Sequence, residues 1–146
     1  MAANIDPIYG RVPNNQGYQS SNLAASLPDG LGANVVSLFQ ADATEGGFVQ
    51  EIRLKPLGSP GASVVRVYLY IGTGAYTPGT SNTATNTFCI AELSIAAITS
   101  STTSAQNDLV IPINKGLDPG NRLLIGFGSA TGASTGFAFV AFGTKY

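Results

Sequence analysis

The segment Val64-Val65-Arg66-Val67-Tyr68-Leu69-Tyr70-Ile71 is the clearest structural signal in this chain. β-Branched and aromatic residues fill it, and such residues favour strands. Successive side chains of a strand point to opposite faces, so one face carries Val65, Val67, Leu69 and Ile71 and the other carries Val64, Arg66, Tyr68 and Tyr70. The segment therefore predicts a strand with an apolar core face and a second face that is apolar enough to be partly covered.

Similar apolar runs lie on both sides of this segment, between clusters of Gly, Pro, Ser and Asn. Together they predict seven strands, at residues 35–41, 48–54, 62–71, 86–95, 109–114, 122–127 and 136–142. Strong helix formers are not sustained at helical spacing, so we predict an all-β antiparallel sandwich or barrel. In the fourth strand, Cys89 shares the more apolar face with Ala91, Leu93 and Ile95, which predicts that Cys89 is a small buried hydrophobe.

Residues 1–30 differ in composition from the rest of the chain. Three prolines lie among Asn, Gln, Ser and Gly, and the few apolar residues follow no strict period. We interpret this segment as an extended N-terminal arm, with room for an eighth strand, and residues 31–146 as one β-sandwich domain. Thirty extended residues reach roughly 100 Å, far enough to contact a neighbouring subunit. The alternative is a frayed chain end.

The composition limits the classes of partner. The chain has 146 residues, seven Lys and Arg, eight Asp and Glu, no His, no Trp and one Cys. Its scattered cations form no basic stripe that could neutralise a phosphate backbone, so we do not expect nucleic acid as a partner. No apolar run suits a membrane span or a signal peptide, and we expect a soluble protein made in the cytoplasm. A lone cysteine rules out an internal disulfide.

These residues offer little catalytic chemistry. Without histidine, neither a Ser-His nor a Cys-His pair can activate a nucleophile. The carboxylates are spread singly along the chain, so we expect no enzyme activity and no cofactor. The run Asp42-Ala43-Thr44-Glu45-Gly46 has oxygen ligands for calcium, but its spacing is not that of an EF-hand, and turn residues are the simpler interpretation. We therefore expect no metal site.

Several segments share a pattern of strand followed by turn. The first is Phe48-Val49-Gln50-Glu51-Ile52-Arg53-Leu54-Lys55-Pro56-Leu57-Gly58, followed by Val64-Val65-Arg66-Val67-Tyr68-Leu69-Tyr70-Ile71-Gly72. The later ones are Leu109-Val110-Ile111-Pro112-Ile113, the Leu-x-Pro-Gly turn from Leu117 to Gly120, a strand from Arg122, and an aromatic strand ending at Tyr146. Over about residues 47–146 the chain resembles a group of small capsid proteins of tailed bacteriophages. The arm and the loop from Thr73 to Thr85 lie outside this resemblance.

The resemblance implies a decoration or cement protein: a jelly-roll sandwich, commonly a homotrimer, that binds the outer surface of an icosahedral capsid without catalysis. Its partners would be the major capsid protein and further copies of itself, in a virion assembled in the host cytoplasm. Tyr and Arg dominate interface energy, so we expect arm contacts to the capsid from Ile5, Ile8, Tyr9, Arg11, Val12 and Tyr18. Deletion of residues 1–22 should then leave a folded core with little affinity for the shell.

Two alternatives remain open from the sequence. The outward set Val64, Arg66, Tyr68 and Tyr70 is the expected oligomer interface, but the same side chains would also suit packing under a loop of their own chain. The second alternative is a carbohydrate- or receptor-binding module of a phage head fibre or tail. Sugar sites combine exposed aromatic faces with amides or carboxylates, which Tyr76, Asn82 and Asn86 could supply, although the absence of tryptophan argues against it.

Overall fold

The computed structural model describes residues 10–106 and 108–146, which form two antiparallel sheets packed face to face. These residues contain the strands β1 Val12–Pro13, β2 Gln16–Ser21, β3 Val36–Gln40, β4 Gly47–Leu57, β5 Ser63–Tyr70, β6 Thr87–Ile95, β7 Leu109–Leu117, β8 Arg122–Phe127 and β9 Gly136–Lys145. All seven predicted strands are confirmed, and β2 is an eighth strand within the predicted arm. No helix in the described residues is long and apolar enough to cross a membrane.

The strand order is that of a jelly roll. Sheet A has the order β2-β9-β4-β7, with the short β1 also beside β9, and sheet B has the order β3-β8-β5-β6. Four antiparallel pairs nest inside one another along the sequence: β5 with β6, β4 with β7, β3 with β8, and β2 with β9. The chain thus folds as one long hairpin rolled over a common core, which confirms the predicted all-β sandwich.

The core between the sheets is built from alternate residues of each strand, as the pleat requires. Val65 and Val67 are fully buried, as predicted, and belong to the same apolar cluster as Ile52 of β4. Phe127 of β8 stacks on Phe137 of β9, with ring centroids 5.5 Å apart. Because β8 and β9 belong to different sheets, this aromatic pair joins the two layers directly.

The prediction that Cys89 is buried is wrong, because a β-bulge changes the alternation of β6. Ala91 pairs with Val67 and Cys89 pairs with Tyr68, so Ile90 is an extra residue with no partner on β5. The extra residue of a bulge shifts the alternation of side chains, so residues an even number of positions apart across the bulge point to opposite faces of the sheet. Ala91 consequently packs against the core, whereas Cys89 lies on the outer face with Tyr68 and is exposed.

The outer face of sheet B is covered by the chain itself. A second buried cluster lies there, formed by Val35, Tyr68, Tyr70 and Leu124. The segment of residues 22–35 crosses this face, and the Tyr68 hydroxyl lies 3.2 and 3.1 Å from the carbonyl oxygens of Leu27 and Pro28. The two tyrosines therefore pack under a loop of their own chain, which is one of the two arrangements that the sequence left open.

Residues 10–21, part of the predicted arm, lie in sheet A along the edge of β9, and we call them the N-terminal strap. β2 pairs with β9 over its whole length, from Gln16 opposite Ala141 to Ser21 opposite Gly136. This approach needs glycine at position 136, since a Cβ there would lie 2.0 Å from the Ser20 carbonyl oxygen. The strap is therefore an integral edge of the sandwich.

The Gln16 side chain links the edges of the two sheets. Its Nε2 donates to the Gln40 carbonyl oxygen at 2.7 Å, and its Oε1 accepts from the Gln40 N–H at 2.9 Å. The amide thereby forms hydrogen bonds with both the N–H and the carbonyl oxygen of Gln40, as a neighbouring strand would. Asn14 Oδ1 accepts a further bond from the same Nε2 at 3.1 Å, which orients the amide.

Replacing Gln16 with leucine should lower the free energy of unfolding by about 2–3 kcal/mol, because two hydrogen bonds are lost and the half-buried groups of Gln40 lose their partners. Gln19→Leu is the matched control, since Gln19 lies on the same strand with an exposed side chain. Urea denaturation of both variants measures the difference. Equal losses in the two variants would show that the Gln16 amide does not link the sheets.

Candidate functional site

The N-terminal strap starts beside the last residues of β9. The Arg11 N–H donates to the Lys145 carbonyl oxygen, and the Asn14 N–H donates to that of Gly143, each at 2.8 Å. Gly10 packs so closely on Thr144 that a Cβ at position 10 would overlap the threonine hydroxyl. Residues 1–9 are therefore joined to the sandwich at a point that backbone hydrogen bonds hold in place.

Four charged side chains surround this point, and we call them the terminal ion cluster: Arg11, Asp42, Glu45 and Lys145. Arg11 Nη2 lies 2.6 Å from Glu45 Oε1. Lys145 Nζ lies 3.0 Å from Asp42 Oδ2 and 3.5 Å from Glu45 Oε2. Because exposed ion pairs contribute little to stability, the main effect of the cluster is to hold the strap, the β3–β4 turn and β9 in one arrangement.

Asp42 is held ionised by its own turn. Its Oδ1 accepts hydrogen bonds from the N–H groups of Glu45 and Thr44, each at 2.9 Å. These two bonds, followed by the bond from Lys145, lower the pKa of Asp42 to about 2, and Arg11 lowers the pKa of Glu45. The carboxylates considered as calcium ligands are thus paired with N–H groups and cations. Among residues 10–106 and 108–146, no three His, Cys, Asp or Glu side chains form a group that could hold a metal ion.

Acid should weaken the terminal ion cluster. The folded pKa of Asp42, about 2, lies below its ordinary value of 3.8, so its stabilising contribution is complete above the ordinary value and is lost as the pH falls through the folded one. Asp42→Asn should therefore reduce the loss of stability between about pH 5 and pH 2. Urea unfolding over that range measures this, with Asp118→Asn in the β7–β8 turn as control. The assignment fails if the control flattens the pH dependence and Asp42→Asn does not.

The predicted capsid contacts fall into two groups. Ile5, Ile8 and Tyr9 lie outside the described residues. Arg11 belongs to the terminal ion cluster, and Val12 and Tyr18 of the strap are 53% and 37% exposed. The strap therefore presents two large side chains to solvent, close in sequence to the segment of residues 1–9.

Tyr18 also lines an open groove of about 560 Å³ that the sequence did not indicate. Leu23, Val36, Tyr76 and Pro78 are among the other lining residues. The walls come from residues 18–24, 33–37 and 76–78, which are distant along the chain. No local pattern could have indicated the groove, because only the fold brings these segments together.

The residues of the carbohydrate alternative make structural contacts. Tyr76 packs edge-on against Tyr70, with ring centroids 5.2 Å apart, and burial raises the pKa of Tyr76 to about 12. The Asn82 and Asn86 side chains bond to main-chain groups of residues 30, 32, 79, 81 and 83. These two amides thus hold the loop in shape instead of lining an open site.

The predicted oligomer interface is largely engaged within its own chain. Arg66 lies opposite Glu92 on the neighbouring strand, with Nε 2.6 Å from Oε1, and only 18% of its side chain is exposed. Tyr68 and Tyr70 are buried, and Val64 is half-buried. Of this set, only Val64 and Arg66 keep any appreciable exposure.

Cys89 is exposed, but its surroundings do not activate the thiol. Partial desolvation raises the pKa of Cys89, and the carboxylate of Glu92 raises it further. The thiolate is the reactive form of cysteine. A raised pKa therefore makes this side chain a weaker nucleophile than an ordinary cysteine.

Comparisons with known proteins give one weak structural likeness to report. No family model matches the chain, and no curated protein matches it. A solved structure of the infectious bursal disease virus Gt strain is similar at 19% identity, with a TM-score of 0.29, over 98% of this chain and 34% of that chain. This chain thus spans about a third of the length of the viral chain. A TM-score at that level carries no argument about function.

Proposed function

We propose that this chain is a non-enzymatic virion structural protein, a decoration or cement protein that binds the outer surface of a bacteriophage icosahedral capsid. The observation that carries the proposal is the N-terminal strap, whose hydrogen bonds to β9 hold the attachment point of residues 1–9 at one end of the sandwich. A rigid body with a segment tethered at a fixed point suits a clamp on neighbouring subunits. The resemblance over residues 47–146 supplies the class of partner, the major capsid protein.

Such a protein acts by binding, without a reaction or a cofactor. A ligand that binds the expanded shell more tightly than its precursor shifts the equilibrium by that difference in affinity. Copies bound where capsid subunits meet also stabilise the assembled state by mass action. The shell thereby resists the internal pressure of packaged DNA better with the protein than without it.

The charges of the described surface support a protein partner over nucleic acid. Five of the seven cationic side chains form ion pairs within the chain, namely Arg11, Arg53, Lys55, Arg66 and Lys145. Cations that are already neutralised displace few counterions from a phosphate backbone. The partner is therefore a protein, on the capsid surface of a virion assembled in the host cytoplasm, and neither nucleic acid nor membrane is a partner. The homotrimeric state is what the resemblance implies.

The number of copies in purified virions, measured on a quantitative gel against the major shell protein, tests the proposed role. A ratio near one to one is the expected result for a decoration protein that tiles the shell. A much smaller number would favour the head-fibre or tail alternative, and a glycan array would then be the next measurement. Absence of the chain from virions would overturn a virion role.

Deleting residues 1–9 should weaken binding to the shell at least about tenfold, since interface anchors of the Ile and Tyr type are removed. The sandwich should stay folded, because the deletion stops before the first backbone bond of the strap, at Arg11. The longer deletion of residues 1–22 is not a clean test, since it removes β2 from the edge of β9. Addition of each protein to stripped particles, followed by sedimentation, measures the binding.

A pair of full-length variants separates a specific arm contact from general surface effects. Ile5→Ser/Ile8→Ser should weaken shell binding as the deletion does, whereas Leu27→Ser, at a residue 56% exposed over sheet B, should not. Shell binding of the truncated protein equal to that of the full chain would contradict the role of residues 1–9.

A further inference from the structure

The open groove beside Tyr18 lies along an edge of sheet B. β3 is an outermost strand of that sheet, and its residues Val36 and Ser37 line the groove. Edge strands present N–H and carbonyl groups with which a further strand can pair. At Gln40, the Gln16 amide already takes the place of such a strand. The groove therefore borders a sheet edge, which is a common site for the addition of an extended peptide.

The walls of the groove are mainly apolar and carry no charge. The described residues that line it include aliphatic and aromatic side chains but no acid or base, among them Leu23, Val36, Pro78, Tyr18 and Tyr76. Its volume of about 560 Å³ is in the usual range for ligand sites. Tyr18, Leu23 and Val36 also line a smaller apolar pocket that reaches the core beside Phe139. The groove thus offers an apolar surface to a side chain of a partner.

One cation beside the groove lacks an acidic partner. Within the described residues, Arg122 and Lys115 are the two cationic side chains outside the ion pairs. Arg122 is half-buried next to Ser37, with Nη1 3.4 Å from the serine Oγ and Nη2 3.4 Å from the Gly74 carbonyl oxygen. Both distances are longer than those of ordinary hydrogen bonds. The guanidinium therefore keeps most of its hydrogen-bonding capacity for a further acceptor.

Two buried donors on neighbouring side chains also lack an acceptor. In the part of the chain that the structure describes, Arg122 Nε and the Tyr76 hydroxyl are the buried side-chain polar atoms without a hydrogen-bond partner. The Arg122 guanidinium carbon lies 6.0 Å from the centroid of the Tyr76 ring, and Tyr76 lines the groove. A carboxylate matches a guanidinium best, because it can accept from two of its N–H groups at once. Charge and hydrogen bonding therefore both favour an acidic group at this end of the groove.

We propose that the groove binds an extended segment of the major capsid protein, with an acidic side chain paired to Arg122 and an apolar side chain packed on Tyr18. The sheet edge favours a peptide, and the unpaired charge of Arg122 favours an acidic one. The inference rests on the proposed function for the source of the peptide. It adds a second contact that is separate from residues 1–9, because the walls of the groove come from residues 18–24, 33–37 and 76–78.

The test places a negative charge in the groove of the full-length chain. Ala24 lines the groove, whereas its neighbour Ala25 is not among the lining residues, and both are exposed. Ala24→Glu should repel the acidic segment and weaken binding to stripped particles about tenfold or more, as like charges across an interface do. Ala25→Glu adds the same charge and should bind as the wild type does. Circular dichroism verifies that both variants fold.

A second pair of variants removes the cation instead. Arg122→Gln should weaken shell binding to a similar extent and should make it less dependent on salt, because an ion pair is lost. Lys115→Gln removes an exposed charge that does not line the groove, so it should change neither property. Sedimentation with stripped particles at several salt concentrations measures both.

The outcomes separate this inference from the proposed function. If the wild type binds particles but Ala24→Glu binds as tightly as Ala25→Glu, the groove contact is wrong and the decoration role stands. Unchanged affinity of Arg122→Gln would remove the acidic partner in the same way. A wild type that does not bind particles would contradict the proposed function and this inference together. A glycan that binds the wild type but not Ala24→Glu on an array would show that the groove holds a carbohydrate and not a peptide.

Discussion

The pairing of β9 with β4 on one side and with the N-terminal strap on the other is the interaction on which the rest of the structure depends. β9 pairs with β4 from Gly136 opposite Leu57 to Lys145 opposite Gly47, with one bulge in β4. Phe137 of β9 brings its ring to Phe127 of the other sheet, and Lys145 enters the terminal ion cluster. One strand therefore joins the core, the strap and the attachment point of residues 1–9.

The two outer faces of the sandwich are covered by the chain to different extents. Sheet B is covered by residues 22–35, which leave Tyr68 fully buried. Sheet A carries Arg53 on its outer face, 2.6 Å from Glu51 and 5.5 Å from the centroid of the Phe142 ring. An antiparallel sheet commonly keeps one such face in water. The strap and the outer face of sheet A are accordingly exposed, whereas the tyrosine face that the sequence suggested as an interface is covered.

The sequence predicted the strands well because strand formation here depends on local alternation. It failed at Cys89 because one extra residue, Ile90, reverses the alternation of β6, and a bulge leaves no local signature when its neighbours are all apolar. It also could not decide between the two arrangements for Tyr68 and Tyr70. An amphipathic strand face satisfies a partner subunit and a loop of the same chain equally well.

By itself, the sequence determined the all-β class, the positions of seven strands and the lack of histidine-based chemistry, since these follow from composition and from the two-residue period of a strand. Only the tertiary structure decided that residues 10–21 are an edge of sheet A and that the loop of residues 22–35 covers the tyrosines. The reason is physical. Contacts such as Gln16 with Gln40 join residues far apart in the chain, and no local pattern specifies which distant edge a polar or apolar side chain will meet.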